Sequence, residues 1–186
     1  MTTDYFSVDR RGFYNVGRTL DLFKQNPFPF TYLAVEDFIS PADLASHLNG
    51  LFPAGLSLHG WDFMTRHLDF QRNDVTAINY ANYESTLELV LEYVRRTAFA
   101  ASPSRLQSYF AFESLQAARE FRTNTQPIYR IQADTVLRLD QRWLRHGNQS
   151  VIGSYCAHKY WSGAAVTNPK WEHMLVPPVR VVERVE

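Results

Sequence analysis

Strand-like runs crowd the two ends of this 186-residue chain, and its longest helical pattern lies between them. Regular alternation of strands and helices would build a parallel sheet. Segregated elements instead predict an α+β fold, an antiparallel sheet with helices packed to one side. Tyr5-Phe6-Ser7-Val8-Asp9-Arg10 reads as a short opening strand, stopped by Arg11-Gly12. Ile128–Ala133 alternates apolar and polar residues as a half-buried strand does. Val151-Ile152, Met174-Leu175-Val176 and the run from Val179 to Val185 read as further strands. With 45% hydrophobic and 15% aromatic residues, the chain can bury one sizeable core, so a single domain over 1–186 is expected.

The helix signals are local and physical. Ser40, Pro41 and Asp43 form a start signal: Ser caps, Pro suits the first turn, and the carboxylate three residues on completes a capping box. Leu44, Leu48 and Leu51 then share a face, bordered by His47, and Phe52-Pro53-Ala54-Gly55 ends the helix. Asn26-Pro27-Phe28-Pro29-Phe30 cannot be regular helix, because proline lacks an amide donor and restricts its predecessor. The clearest helix runs from about Glu84 to Thr97, with Leu87, Val90, Leu91 and Val94 on one face and Glu84, Glu88, Glu92 and Arg96 on the other. The helix reads as scaffold rather than chemistry, with Glu92 and Arg96 able to pair across one turn for about 0.3–0.5 kcal/mol. A shorter helix, Leu115 to Arg122, follows Ser114 as its cap.

Charge narrows the function classes less than its distribution does. The formal net charge is +0 and the isoelectric point near 7.0, so nothing global selects a nucleic acid or a membrane as partner. Between Arg95 and Arg145, however, nine arginines stand against four carboxylates. The single cysteine, Cys156, excludes an intramolecular disulfide and reads as a small buried residue. No apolar stretch approaches the roughly 20 residues of a membrane span, and Met1-Thr2-Thr3-Asp4 lacks a signal pattern, so a cytoplasmic protein is expected. Neither a phosphate-cradling glycine loop nor paired Cys/His zinc spacing occurs, so no metal is expected. A Gly-x-Ser-x-Gly nucleophile elbow is also missing.

Glu172 is the most telling carboxylate. It opens the last β-like run, Trp171 to Val181, just behind the cluster Tyr160-Trp161-Ser162-Gly163. Burying an unpaired charge is prohibitively costly, so Glu172 is expected to face solvent, a partner or a cleft. Two other segments accompany it: the opening strand, and Ser104-Arg105-Leu106-Gln107-Ser108-Tyr109-Phe110-Ala111-Phe112, which leads into the Ser114 helix.

The order of these segments resembles the ADP-ribosyltransferase superfamily. The run Ser-Arg-x-x-Ser-x-Phe-Ala, the later Tyr-Trp-x-Gly and the final Glu before a Leu-Val-Pro-Pro strand are most similar to a group of uncharacterised bacterial domains within it, of toxin or defence type. The resemblance implies a split antiparallel β-sandwich and NAD as co-substrate. It also implies Glu172 as the catalytic glutamate, Ser108 as the central-strand serine, and Ser7 or Arg10 as the first-strand contact to the dinucleotide. Many members carry His in the opening strand where this chain has Ser7.

Cleaving the bond between nicotinamide and ribose passes through an oxocarbenium-like transition state that a nearby carboxylate stabilises. Nicotinamide is a flat cation before cleavage, so Tyr109, Phe110, Tyr160 or Trp161 can stack on it, although core packing is the simpler account of each aromatic. Ser104 and Arg105 open the central segment, and the Arg105 fork suits a pyrophosphate. The expected activity is transfer of ADP-ribose to a macromolecule, with nucleic acid favoured over protein by the arginine excess and a neutralising antitoxin as a possible partner. The alternatives are a non-catalytic module on the same fold, or a small glycoside or nucleotide hydrolase pairing Glu172 with Asp134 or Asp140.

Overall fold

The computed structural model describes residues 3–27, 40–65, 70–73, 77–80, 83–145, 147 and 149–186. Two long antiparallel strands form its spine, β6 (Ile128–Asp140) and β7 (Trp171–Arg184), paired along nearly their whole length. β1 (Tyr5–Val8) lies on the free edge of β6, while β2 (Thr19–Leu20) and β5 (Tyr109–Ala111) share the far edge of β7. Phe6 and Phe112 exchange two backbone hydrogen bonds of 2.8 Å, which bring β1 back against the end of β5. A separate two-stranded ribbon joins β3 (Phe70–Asn73) and β4 (Ala77–Tyr80). The architecture is therefore α+β, with a five-stranded antiparallel sheet.

The sequence expectations hold at most helix starts and fail at several strand boundaries. Helix α1 (Pro41–Leu51) has the full capping box: Ser40 Oγ accepts from the Asp43 amide and the Asp43 carboxylate accepts from the Ser40 amide. Helix α2 (Leu58–Thr65) follows, then the long α3 (Tyr83–Ala98). Helix α4 (Leu115–Phe121) is capped by Ser114 as expected. Val151-Ile152, expected as a strand, instead lies in helix α5 (Ser150–Trp161), with both side chains exposed. Two β-branched residues did not outweigh the surrounding register, in which Gly153, Cys156, Ala157 and Tyr160 fall on one buried face.

The two strands expected around Pro177-Pro178 are one. Proline removes a ladder donor, and the pairing skips there: Ala133 faces Val179 while Thr135 faces Val176, after which the ladder resumes. Ser104–Phe112 is only partly strand, because Arg105–Gln107 forms a 3-10 turn before β5. Phe28-Pro29-Phe30 lies outside the described residues.

Side chains divide between the two faces of the sheet. Leu139 and Met174 pack with Leu87, Leu91, Val94, Ala157 and Tyr160 beneath α3 and α5. Tyr109, Tyr129, Ile131 and Leu175 line the opposite side with Leu20, Val179 and Val181. Glu172 lies cross-strand from Leu139, which puts it on the α3 and α5 side.

Candidate functional site

Glu172 is buried, with 5% of its surface exposed, so of the settings expected for it, solvent, a partner or a cleft, solvent is excluded. The cost of burial is met by a partner that sequence spacing does not reveal. Arg105 Nη1 donates to Glu172 Oε1 at 2.5 Å, and the Tyr160 hydroxyl donates to the same oxygen at 2.6 Å. Arg105 Nη1 also donates to the Tyr160 oxygen. Glu172 Oε2 takes no hydrogen bond from any described residue.

Arg105 is itself clamped from the other side. Glu88, on α3, accepts from Arg105 Nε at 2.9 Å and Nη2 at 2.8 Å, a two-pronged bond that uses the planar fork of the guanidinium. His59 Nε2 stands 3.3 Å from Glu88 Oε1, but without hydrogen-bond alignment. The Arg105 guanidinium carbon lies 4.4 Å from the Phe110 ring centroid and 5.1 Å from that of Tyr160. One guanidinium thus meets two carboxylates inside the protein, and their formal charges leave one negative in excess.

The electrostatics follow from this packing. Burial raises the Glu88 pKa, but Arg105 and His59 outweigh it and hold the carboxyl at about 2. Burial also dominates at Tyr160, pushing its hydroxyl well up against the opposing pull of Arg105. For Arg105, burial disfavours the charge, yet Glu88, Tyr160 and Glu172 together hold it protonated.

Local geometry explains why Arg105 sits here. Ser104 Oγ accepts from the Leu106 amide to start the turn and donates to Glu92 at 2.8 Å. The Ser108 hydroxyl closes the turn on the Ser104 carbonyl at 2.8 Å. On the outer side, the Leu106 carbonyl accepts from the Ser57 amide at 3.0 Å, and Gly60 approaches it so closely that a Cβ there would collide with the oxygen. The same contact seats His59 beside Glu88.

The remaining candidates separate into supports and outliers. Phe110 stacks on Arg105 and belongs to the site. Ser104 and Ser108 shape the turn. Trp161 donates to the Leu91 carbonyl and joins α5 to α3. Tyr109 points to the other face, where its hydroxyl donates to Asp21 O. Ser7 donates to Phe110 O at 2.7 Å and lies within reach of the Tyr14 hydroxyl, so it meets the central segment through backbone only. Arg10 is exposed over the Phe121 ring.

Asp140 is fully buried and accepts from the amides of Arg142, Val166 and Lys170; Asp134 is exposed beside the irregular pairing opposite Pro177-Pro178. The carboxylate that shares a partner with Glu172 is Glu88. Sequence reading missed both Glu88 and His59. Glu88 lies on the charged face of α3, opposite the apolar stripe, yet it and Glu92 are 5% and 7% exposed. The available signal was a row of acids at helical spacing followed by the buried-compatible cation Arg105.

Fold and site together define an α+β protein with a buried carboxylate, arginine and tyrosine cluster at the start of its last strand. The chain belongs to the family described as "Protein of unknown function (DUF2441)", whose model matches residues 5–186. No curated protein matches the chain.

Proposed function

We propose that the protein is an NAD-dependent ADP-ribosyltransferase that uses Glu172 as its catalytic carboxylate. The observation that carries this reading is the asymmetry of Glu172: Arg105 and Tyr160 both hold Oε1, while Oε2 is without a protein donor among the described residues. A carboxylate fixed by one oxygen is preorganised to stabilise an oxocarbenium-like ribose with the other. The excess negative charge of the cluster and the aromatic wall of Phe110 suit the cationic nicotinamide ring. The joining of β1, β5 and β7 supports the reading too, because these strands carry the three segments of the resemblance.

In the reaction, the C1′–nicotinamide bond breaks, its electron pair leaves with nicotinamide, and an acceptor nucleophile bonds to C1′ as it loses a proton. The acceptor is a macromolecule, nucleic acid ahead of protein, and the setting is a cytoplasmic toxin or defence effector with a neutralising antitoxin. Glu172→Gln is expected to lower nicotinamide release from NAD on the order of 10²–10³-fold. Release within a few-fold of wild type sinks the proposal. Label from NAD that survives nuclease but vanishes with protease in a cell extract would reject the nucleic-acid acceptor.

The burial of Glu172 favours a second reading, in which Glu88, Arg105 and Glu172 serve only as a structural core and the chain is a non-catalytic module. It requires that wild-type protein release no nicotinamide while Glu172→Gln lowers thermal stability.

A further inference from the structure

The nine arginines between Arg95 and Arg145 are not equivalent in the folded protein. Arg95, Arg96, Arg105, Arg119, Arg122 and Arg130 all pair with carboxylates. Those six spend their charge internally. Arg138, Arg142 and Arg145 are exposed and have no carboxylate within ion-pairing distance among the described residues; nor does the exposed Lys170.

Three of these cations, Arg142, Arg145 and Lys170, gather at the turn between β6 and α5, where Glu172 opens β7. Lys170 immediately precedes Trp171, and its carbonyl accepts from the Gln141 amide at 2.8 Å, which places it against the turn that carries Arg142. Arg145 Nε donates to Arg142 O at 3.0 Å. Arg138 stands apart from them, over the Trp171 ring at 4.0 Å from its centroid, on the face of the sheet away from Glu172. Aromatic surface interleaves with the charge: Trp143 is half-buried, and its ring meets that of Tyr155, which is 56% exposed. On that opposite face, Glu113 stands 4.0 Å from His173 Nε2.

We propose that this surface binds single-stranded nucleic acid. Cations that track a phosphate backbone, alternating with rings on which bases stack, are what a single strand needs, and a duplex hides its base faces from such rings. A purely electrostatic surface has no use for an exposed Tyr155 ring beside the cations. The surface deepens the transferase reading, on which it rests, by naming what holds the acceptor strand, but strand binding is measurable without it.

Fluorescence anisotropy of labelled oligo(dT) and oligo(U), each of about 15 nucleotides, tests the surface on the full chain. Three phosphate contacts predict a slope of log affinity against log salt of about −2, roughly a 20-fold loss between about 50 and 200 mM. The triple variant Arg142→Ala, Arg145→Ala, Lys170→Ala should bind at least about tenfold more weakly, with the slope reduced by about 2. Tyr155→Ala should cost about tenfold by itself with little change in slope, and it keeps the test open if the triple variant unfolds. Preference for dT or U identifies the strand as DNA or RNA.

Absence of binding to either strand overturns the proposal, as does a folded triple variant with wild-type affinity, duplex bound as tightly as single strand, or binding of phosphatidylserine vesicles alone. Strand binding without nicotinamide release rejects the transferase and leaves this surface standing. Nicotinamide release without strand binding does the reverse.

Discussion

A carboxylate as deeply buried as Glu172 persists only where donors replace its water, and Arg105 and Tyr160 are those donors. The arrangement makes Glu88 as important as the residues that touch it. Glu88 holds two edges of the Arg105 fork and leaves Nη1 aimed at Glu172. Removing it strands a buried guanidinium half-paired, so Glu88→Ala is expected to cost about 3–5 kcal/mol in chemical denaturation. Glu88→Gln retains the shape and should cost less. An equal loss for both would mean that charge, which both variants remove, and not packing sets the effect. Of the site residues, Glu172, Arg105, Phe110 and Tyr160 were legible from short motifs. Glu88 was not, because helical spacing reports which residues share a face but not what that face meets.

At the scale of elements, the decisive contact is between α2 and the turn that carries Arg105. Gly60 permits the helix to rest against the Leu106 carbonyl, and Ser57 donates to the same oxygen through its amide and its hydroxyl. Gly60→Ala should force the two apart despite the helix propensity that alanine adds. The expected loss is about 1–3 kcal/mol in thermal or denaturant unfolding. A neutral or stabilising outcome would show that α2 can shift without disturbing the turn. In the sequence, Gly60 looks like an ordinary weak point of a helix. Its requirement comes from a backbone oxygen 46 residues away in the chain.

The whole molecule should carry an acid signature of its buried ion pairs. Glu88 has a folded-state pKa of about 2, below its ordinary value of 4.5, and Glu92 is also held down, as Arg95, Arg96 and Ser104 outweigh its burial. A depressed carboxyl stabilises the fold above its unfolded pKa and loses that contribution as pH falls through the folded pKa. Stability should therefore hold above about pH 4.5 and decline toward pH 2, by an amount on the order of a few kcal/mol. Circular dichroism melts across that range check it, and Glu88→Gln should flatten the decline. A wild-type melting temperature constant from pH 5 to pH 2.5 would refute the assignment.

What the sequence determined by itself was the Ser40 and Ser114 caps, the apolar stripe of α3 and the antiparallel α+β class. These follow from interactions within a turn or two of chain, and nothing distant overrides them. Tertiary structure decided the rest. It joined the strands on either side of Pro177-Pro178 into one, made Val151-Ile152 helical, and turned Glu88, Glu92 and Glu172 inward. The physical reason is the same in each case. Whether a ladder resumes or a charge is buried depends on the partner that arrives from elsewhere in the chain. For Glu172 that partner is Arg105, 67 residues away.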